Sequence, residues 1–337
     1  MPHDSPTVPS QPVPHALSVP ASSIVVGIDV AKAMLDCYLD PSGRRLRLAN
    51  DDAGITQLLE HLRPLAVGLV VIEATGRLHR RVAGELLQAG ICVALVNPQR
   101  AREYARSTGK LEKTDKVDAE ALAKFGRGAE LAPMQKPSEK QVELDDLISR
   151  RRALVQMRVA EKNRLAEEHQ PKLAKAQATK LLRLIQQQIE DLDRAIGDLI
   201  DSDDHWKRKS DIITSIPGVS DGTAHQLLAD LPELGTLGRQ KIAKLAGLAP
   251  LADDSGPRRG QRHIRGGRQP VRNALYMAAF NATRHCERFK AFAKRLTDAG
   301  KSYKVVATAV MRKLLVTLNH MVKTDSLYDP NRVAINP

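Results

Sequence analysis

Two short apolar runs near the start of the chain each end in an acidic residue. Residues 24–28 are followed by Asp29, and residues 67–72 are followed by Glu73. Continuous apolar runs of this length are typical of strands that are buried on both faces of a sheet. A carboxylate at the end of such a strand is costly to desolvate unless something compensates its charge. The runs therefore predict an α/β domain with acidic residues at strand ends, where open sheets place their sites.

The surrounding sequence alternates between strand and helix patterns. Residues 34–39 and 44–48 flank the turn sequence Asp40-Pro41-Ser42-Gly43, which predicts a hairpin. Asn50 is suited to cap the helix that follows, and strand, helix and strand patterns then continue to residue 96. We therefore expect a partly antiparallel sheet that is covered by helices on both sides.

A second acidic feature is the pair Asp115 and Asp118. Thr114 is a good N-cap for a helix that begins at Asp115, and Gly126 is expected to stop it. The two aspartates are three residues apart, so they project from the same face of that helix and can share a divalent cation with the strand acids. Favourable interaction with the helix dipole is the alternative explanation for this pair alone.

Charge and composition narrow the range of partners. The formal net charge is +13 and the isoelectric point is near 9.7, which favours nucleic acid as the partner. Aromatic residues make up only 3% of the chain, so extensive base stacking is not expected. The three cysteines, Cys37, Cys92 and Cys286, lack CxxC spacing. This spacing argues against a disulfide framework or a structural zinc site and fits a reducing cytosol.

The N-terminal segment and the hydropathy pattern indicate where in the cell the protein is located. Residues 1–22 lack the basic start and apolar core of a signal peptide, and we expect them to form a disordered tail. The sequence shows no apolar run of the roughly 20 residues that a membrane-spanning helix needs. We therefore expect a cytoplasmic protein without a membrane partner.

The composition changes at about residue 137, where a long helical region begins. Apolar residues at helical spacing predict two long helices that are interrupted near Pro171. One interpretation is a spacer between domains. The other is a dimerisation arm that also contacts nucleic acid through Arg150, Arg151, Arg152 and Arg158, although a solvated helix face explains these arginines equally well.

The sequence Ser215-Ile216-Pro217-Gly218-Val219 suggests a helix-hairpin-helix. In that motif backbone N–H groups around a turn such as the one at Gly218 bind a phosphate without reading bases. Ser220 stands where the motif usually has a second glycine, and a plain turn is the alternative.

An arginine-rich segment follows at residues 254–272. It contains no acid after Asp254, and several glycines keep it flexible. The positive charges of such a segment repel one another unless they bind phosphate, so we expect the segment to contact nucleic acid. The candidate binding residues are Arg258, Arg259, Arg262, Arg265, Arg268 and Arg272. Ser255, between Asp254 and Gly256, is on sequence alone an ordinary turn residue.

The order of these features resembles a known family. The matching elements are Gly27-Ile28-Asp29, Ile72-Glu73-Ala74-Thr75-Gly76, Asn97-Pro98, Lys113-Thr114-Asp115 with Asp118-Ala119, Ile216-Pro217-Gly218, Ala246-Gly247-Leu248 with Pro250, Ser255-Gly256 and Ala274-Leu275-Tyr276-Met277. They resemble the DEDD transposases of bacterial insertion sequences, a family that includes Piv-type DNA invertases and bridge-RNA-guided recombinases.

The resemblance implies a fold and a division into domains. We expect an RNase H-like (RuvC-like) α/β domain at residues 23–136 and a helical linker at 137–207. A mainly α transposase domain with the helix-hairpin-helix would follow at 208–324, and residues 325–337 would form a tail.

The resemblance also implies an activity. Asp29, Glu73, Asp115 and Asp118 would bind Mg²⁺, and Ser255 would attack a DNA phosphate to form a phosphoserine link. Double-stranded donor and target DNA would be the substrates, and a structured guide RNA would specify them. Since recombination joins four DNA ends, we expect a dimer of dimers.

Two other classes remain open. A RuvC-like endonuclease that acts on particular DNA structures would need the four acids but not Ser255. A binding protein without catalytic activity would need only the helix-hairpin-helix and the arginine-rich segment.

Overall fold

The computed structural model describes residues 20, 22–74, 77–107, 115–167, 171–252, 260 and 262–331. The side chains of residues 99, 105 and 115–118 lie outside this description. The chain forms two compact units that divide after Pro137.

The N-terminal unit alternates strands and helices, as the sequence predicts. In chain order it contains β1 (Ile24–Val30), β2 (Met34–Asp40), β3 (Arg44–Ala49), α1 (Asp52–Leu62), β4 (Val67–Glu73), α2 (His79–Gln88), β5 (Val93–Val96), α3 (Pro98–Ser107) and α4 (Asp115–Gly128).

These strands form one five-stranded mixed sheet in the order β3-β2-β1-β4-β5. β2 lies antiparallel to β1 and β3, whereas β4 is parallel to β1 and β5. The predicted hairpin and the partly antiparallel sheet are therefore confirmed. The cap of α1 differs from the prediction, because Asp51 rather than Asn50 accepts the N–H of Gly54, at 2.8 Å. The Asn50 amide instead donates to the Ala31 carbonyl.

The strand side chains alternate between two buried faces. Val26, Ile28, Val70 and Ile72 pack in one apolar cluster with residues of α1 and α2. On the opposite face, residues such as Val25, Leu69 and Val71 pack with residues of α4. The sheet is therefore covered on both sides, which explains why its central strands are apolar at consecutive positions.

Gly27 allows α4 to lie directly on the sheet. A Cβ atom at this position would overlap the carbonyl oxygen of Ala119 and would lie 2.5 Å from the amide nitrogen of Ala123. The absence of a side chain thus lets the helix backbone contact the strand. No larger residue fits without moving the two elements apart.

Further along, α4 passes over the beginning of β1. A Cβ at Gly126 would lie 2.5 Å from Val71 and 3.0 Å from Val25. The guanidinium of Arg127 donates to the carbonyl of Ser23 at 3.1 Å, and it also pairs with Asp40. The helix therefore runs antiparallel to β1. Gly126 was expected to end α4, and this is wrong, because that glycine packs inside the helix where the sheet leaves no room for a side chain.

We predict that Gly27→Ala destabilises the N-terminal unit by about 1–3 kcal/mol, because the new methyl group must push α4 away from β1. The control is Gly84→Ala on α2, where an added Cβ meets nothing within 4 Å. It should be neutral or stabilise by about 0.5–1 kcal/mol, the helix preference for alanine. Urea unfolding followed by circular dichroism measures both, and equal effects of the two substitutions would contradict the packing described.

The C-terminal unit is mainly helical. In chain order it contains α5 (Glu139–Leu165), α6 (Lys172–Asp201), α7 (Asp204–Thr214), α8 (Asp221–Asp230), α9 (Arg239–Leu245), β6 (Pro250–Leu251), β7 (His263–Ile264), α10 (Gln269–His285), α11 (Glu287–Asp298) and α12 (Tyr303–Lys323). The α/β N-terminal unit and the mainly helical C-terminal unit confirm the predicted fold classes at that level.

The two long helices α5 and α6 form a hairpin. Pro171 precedes the first turn of α6, as the sequence predicts. Leu154 of α5 packs against Ile185 and Ile189 of α6, and the hairpin's other apolar cluster includes Leu228 of α8. The hairpin is thus part of the same compact unit as the helices that follow.

The remaining helices pack around α12. Its apolar residues, among them Val310, Leu314 and Leu318, join the largest core cluster of the chain. Helix α12 is also long and apolar enough to cross a membrane by length and composition, although polar residues interrupt its apolar sequence. Burial of this apolar face within the unit accounts for that hydropathy.

The segment after α12 contacts the rest of the unit through Asp325 and Tyr328. The backbone N–H of Tyr328 donates a hydrogen bond to Ser215 Oγ, at 2.9 Å. Arg208 donates to the carboxylate of Asp325, also at 2.9 Å. The expected tail is therefore anchored over its first residues.

Candidate active site and nucleic-acid-binding surfaces

The strand register places Asp29 and Glu73 side by side. Ile28 of β1 pairs with Ile72 of β4 in parallel register, so the next residue of each strand is Asp29 and Glu73. Neighbouring strands lie about 4.8 Å apart, and residues at the same level of parallel strands point to the same face. The two predicted strand acids are thus adjacent at the carboxyl ends of neighbouring strands. Both are partly exposed.

The alternation of side chains assigns these acids to the face covered by α4. Ile28 and Ile72 belong to the opposite face, with α1 and α2. Because α4 runs antiparallel to β1, its first turn lies toward the carboxyl ends of β1 and β4. That first turn contains residues 115 and 118. The backbone therefore brings the predicted aspartate pair to the end of the sheet where Asp29 and Glu73 lie.

A third carboxylate, that of Asp36, lies in the same row and was missed by the sequence analysis. Asp36 of β2 is the direct antiparallel partner of Asp29. It is only 8% exposed, and Arg47 of β3 lies 3.7 Å from its carboxylate. The signal was present in the sequence, because an acid within the apolar run of residues 34–39 is as costly to bury as one at a strand end.

Oxygen ligands from carboxylates suit Mg²⁺, which prefers one or two carboxylates together with water or phosphate oxygens. Asp29 and Glu73 are described donors of this kind. Among the side chains that the structure describes, no group of three or more acidic, histidine or cysteine residues could hold a metal ion. The side chains of Asp115 and Asp118 lie outside that description, as does Ser255. The carboxylates of Asp29 and Glu73 are nevertheless the type of ligand that Mg²⁺ prefers.

Cys37 neighbours this row in sequence but does not contribute to it. It is buried on the face covered by α1 and α2. Burial, and secondarily the charge of Asp36, raises the pKa of the Cys37 thiol to about 12. Because only a thiolate is a good nucleophile or metal ligand, this cysteine is inert near neutral pH.

We predict that Asp29→Asn removes the stabilisation that Mg²⁺ gives to the protein. A ligand that binds the folded state at 100 times its Kd stabilises it by about 2.7 kcal/mol. Thermal unfolding with MgCl₂ and with EDTA measures this effect. Glu60→Gln, at an exposed position of α1, is the control. A Mg²⁺-dependent shift that persists in Asp29→Asn would contradict this assignment.

Several predicted nucleic-acid-binding arginines form ion pairs within the chain. Arg152 donates to Asp230 at 2.6 Å, and Arg151 donates to Asp193. Arg268 makes a bidentate pair with Glu233, with both N–O distances at 2.6 Å. Contact with nucleic acid through these three residues remains a prediction, and the structure gives each of them a role in holding helices together.

The other predicted arginines differ in their surroundings. Arg150, Arg262 and Arg265 are exposed. Arg272 donates to the carbonyls of Ala246 and Gly266, and burial lowers its pKa below the ordinary arginine value. Arg258 and Arg259 lie outside the described residues, as does Ser255.

The turn at Gly218 joins α7 and α8, as the sequence predicts. Gly218 has a φ of +92°, and a Cβ there would lie 2.8 Å from the backbone of Asn281 on α10. The glycine is thus required for close packing against α10. Binding of phosphate by this turn remains a prediction.

We predict that Arg152→Ala lowers the free energy of unfolding by about 1–2 kcal/mol near pH 8 and by less near pH 4. Burial raises the pKa of Asp230, and Arg152 opposes that rise. In the variant the pKa of Asp230 rises further, so ionisation in the folded state costs more. The additional loss therefore begins as the pH rises past the raised pKa that Asp230 has in the wild type, and it vanishes at pH values where Asp230 is protonated in both folded proteins.

Denaturant unfolding at the two pH values measures this difference. Arg150→Ala is the matched control, since Arg150 is exposed on the same helix and should change stability by less than about 0.5 kcal/mol. A deficit for Arg152→Ala that is equal at both pH values would show that the ion pair is not its cause.

Comparisons with known proteins match both units. The DEDD transposase model of the IS110 group matches residues 26–168, and the model described as "Transposase IS116/IS110/IS902 family" matches residues 210–294. The pilin gene-inverting protein of Moraxella bovis is 28% identical over 320 residues, which cover 91% of this chain and 98% of that protein. The corresponding protein of Moraxella lacunata has the same identity and coverage.

A transposase of Coxiella burnetii is a more distant relative. The transposase for insertion sequence element IS1111A is 24% identical over 270 residues, which cover 69% of this chain and 70% of that protein. The matches therefore include both a transposase and a gene-inverting protein.

Proposed function

This chain belongs to the IS110-type transposase family, and from that premise we propose that it cuts and rejoins DNA through a phosphoserine intermediate. The single observation that carries the proposal is the row of acids at the carboxyl ends of β1 and β4, beside the first turn of α4. We propose that this N-terminal unit is RNase H-like, of the RuvC type, and acts in the bacterial cytosol.

The acids supply the binding site for the reacting phosphate. Asp29, Glu73, Asp115 and Asp118 would hold Mg²⁺, which when bound stabilises charge on a phosphate and favours deprotonation of an attacking hydroxyl. A carboxylate row without a cation would repel DNA, so the same residues make binding of the phosphate dependent on the ion. Asp36 and Arg47 support Asp29 from the neighbouring strands.

Ser255 would be the nucleophile. Its Oγ forms a bond to phosphorus while the bond from phosphorus to one deoxyribose oxygen breaks. The serine proton leaves with a base, and the released deoxyribose oxygen gains a proton. The phosphoserine ester is then attacked by a deoxyribose hydroxyl of a second DNA end, which restores Ser255 and a phosphodiester. No phosphodiester bond is lost overall, which suits recombination better than attack by water.

The basic surface would bind the remaining partners. The net charge of +13 supports extended contact with phosphates. Arg150, Arg258, Arg259, Arg262 and Arg265 would contact double-stranded donor and target DNA and a structured guide RNA. The turn at Gly218 would act as a helix-hairpin-helix. Since four DNA ends must be joined, a dimer of dimers would carry out the reaction, and light scattering of the nucleic-acid complex measures that mass.

We predict that Ser255→Ala abolishes a covalent protein–DNA adduct and reduces strand exchange at least about 1000-fold. The serine oxygen is the atom that forms the intermediate, so no other route conserves the bond. Labelled DNA carrying the element's ends is incubated with protein and MgCl₂, and the adduct is resolved on a denaturing gel. Ser42→Ala is the control, because Ser42 is exposed in the turn between β2 and β3 and should leave the adduct unchanged.

The result also separates the proposal from a RuvC-like endonuclease. Such an enzyme would cleave DNA in an Asp29-dependent way and would be indifferent to Ser255→Ala. Mg²⁺-dependent cleavage that persists in the serine variant, without an adduct in the wild type, would therefore overturn the serine mechanism.

A further inference from the structure

The C-terminal unit contains a groove that is lined by cations and aromatic residues. It has a volume of about 1090 Å³ and lies between α9, the β6–β7 hairpin, α10 and α12. All of its lining residues belong to this one unit. Pockets of 300–1,000 Å³ accommodate drug-sized molecules, so this groove has room for a few nucleotides at most.

The charge of the groove is positive. Its described lining residues include no aspartate or glutamate, and its cations are Arg239, Arg262, Arg272, Lys304, Arg312 and Lys313. Burial lowers the pKa of Lys313, and the charges of Arg288 and Arg295 lower it further. The positive charge in and around the groove is complementary to an anion.

The groove also offers apolar and aromatic surface. Tyr276 is 41% exposed and Tyr303 is 62% exposed, and their hydroxyl groups are hydrogen-bonded at 2.9 Å. That hydrogen bond raises the pKa of Tyr303, so the Tyr303 hydroxyl stays neutral near pH 8 and does not repel a phosphate. Phe292, Leu248 and Val316 add apolar lining. Cations beside exposed rings are the combination that binds unstacked nucleotides.

The groove adjoins the segment that contains Ser255. Pro250 of β6 and His263 and Ile264 of β7 line it, together with Arg262. Ser255 lies between these two strands in the chain. A polymer bound in the groove is therefore next to the two points at which the serine segment joins the fold.

We propose that this groove binds one or two unstacked nucleotides of the DNA strand that Ser255 attacks, with bases on Tyr276 and Tyr303 and phosphates on the surrounding cations. The proposal rests on the proposed function and specifies its substrate at this site. In duplex DNA only the edges of the bases are accessible to a protein. Stacking on an exposed tyrosine ring requires the face of a base. Local melting of the DNA at the cut would supply such nucleotides.

Binding of fluorescein-labelled dT12 to the full-length protein at 150 mM salt tests this proposal. Tyr303→Ala should weaken binding by about 5- to 100-fold, the range for loss of one base–aromatic stack. Tyr303→Phe keeps the ring and loses only the hydroxyl pair, so it should retain most of the affinity. Met277→Ala is the matched control, because Met277 neighbours Tyr276 on α10, is 54% exposed and does not line the groove.

The cations of the groove provide a second measurement, the salt dependence of dT12 binding. Arg312→Gln should weaken dT12 binding and make it less dependent on salt, because one phosphate contact is lost. Binding of a 20-base-pair duplex should change much less in all of these variants. Thermal unfolding confirms that each variant is folded.

The outcomes separate the two proposals. Equal affinity of Tyr303→Ala and wild type for dT12 would overturn the groove assignment, even if the covalent adduct at Ser255 is observed. A change in oligomeric state without a change in dT12 binding would also overturn it, by showing that the groove docks protein. Preference for rU12 over dT12 would assign the groove to RNA and contradict the DNA strand proposed. Absence of an adduct in the wild type would contradict the serine mechanism, whatever the tyrosine variants do.

Discussion

The contact between α4 and β1 at Gly27 determines where the candidate site can form. The helix backbone approaches the strand closely enough that even a Cβ at this position would overlap Ala119. Arg127 fixes the far end of the helix to Ser23 and Asp40. With both points fixed, the first turn of α4 lies beside the carboxyl ends of β1 and β4. The acids on the strands and on the helix are thereby brought to one end of the sheet, although some 40 residues separate Glu73 from Asp115 along the chain.

The features that the sequence predicts well are those set by local pattern. Consecutive apolar residues show that β1 and β4 are covered on both faces, and their acidic ends mark the candidate site. The hairpin of β2 and β3 follows from its turn sequence. The break between α5 and α6 follows from Pro171. In each case the determining residues are close together in the chain, so the physical cause is visible without knowledge of the fold.

The features that the sequence did not predict depend on partners distant in the chain. Asp36 joins the carboxylate row only through its antiparallel register with Asp29. Arg152 pairs with an acid 78 residues away, and Arg268 pairs with one 35 residues away. Charge alone therefore suggested nucleic-acid contact where the fold provides an ion pair. Gly126 likewise resembles a residue that ends a helix. Only its packing against Val71 and Val25 of the sheet explains why glycine is required inside α4.

Net charge is thus a poor guide to individual contacts, although it remains a good guide to the class of partner. The C-terminal groove differs from the ion pairs described above, because its described lining residues include several cations and no acid. Arg151, Arg152 and Arg268 pair with acids of the chain, whereas the charge of the groove is complementary to phosphate. The same groove contains two exposed tyrosines, in a chain of which only 3% is aromatic.

The most direct test of the central claim is an anomalous difference map from crystals soaked in Mn²⁺, which substitutes for Mg²⁺. The account predicts a peak at about 2.0–2.3 Å from carboxylate oxygens of Asp29, Glu73 and a residue of the first turn of α4. A peak bound only elsewhere, or carboxylates of Asp29 and Glu73 that bind no ion at saturating Mn²⁺, would contradict it.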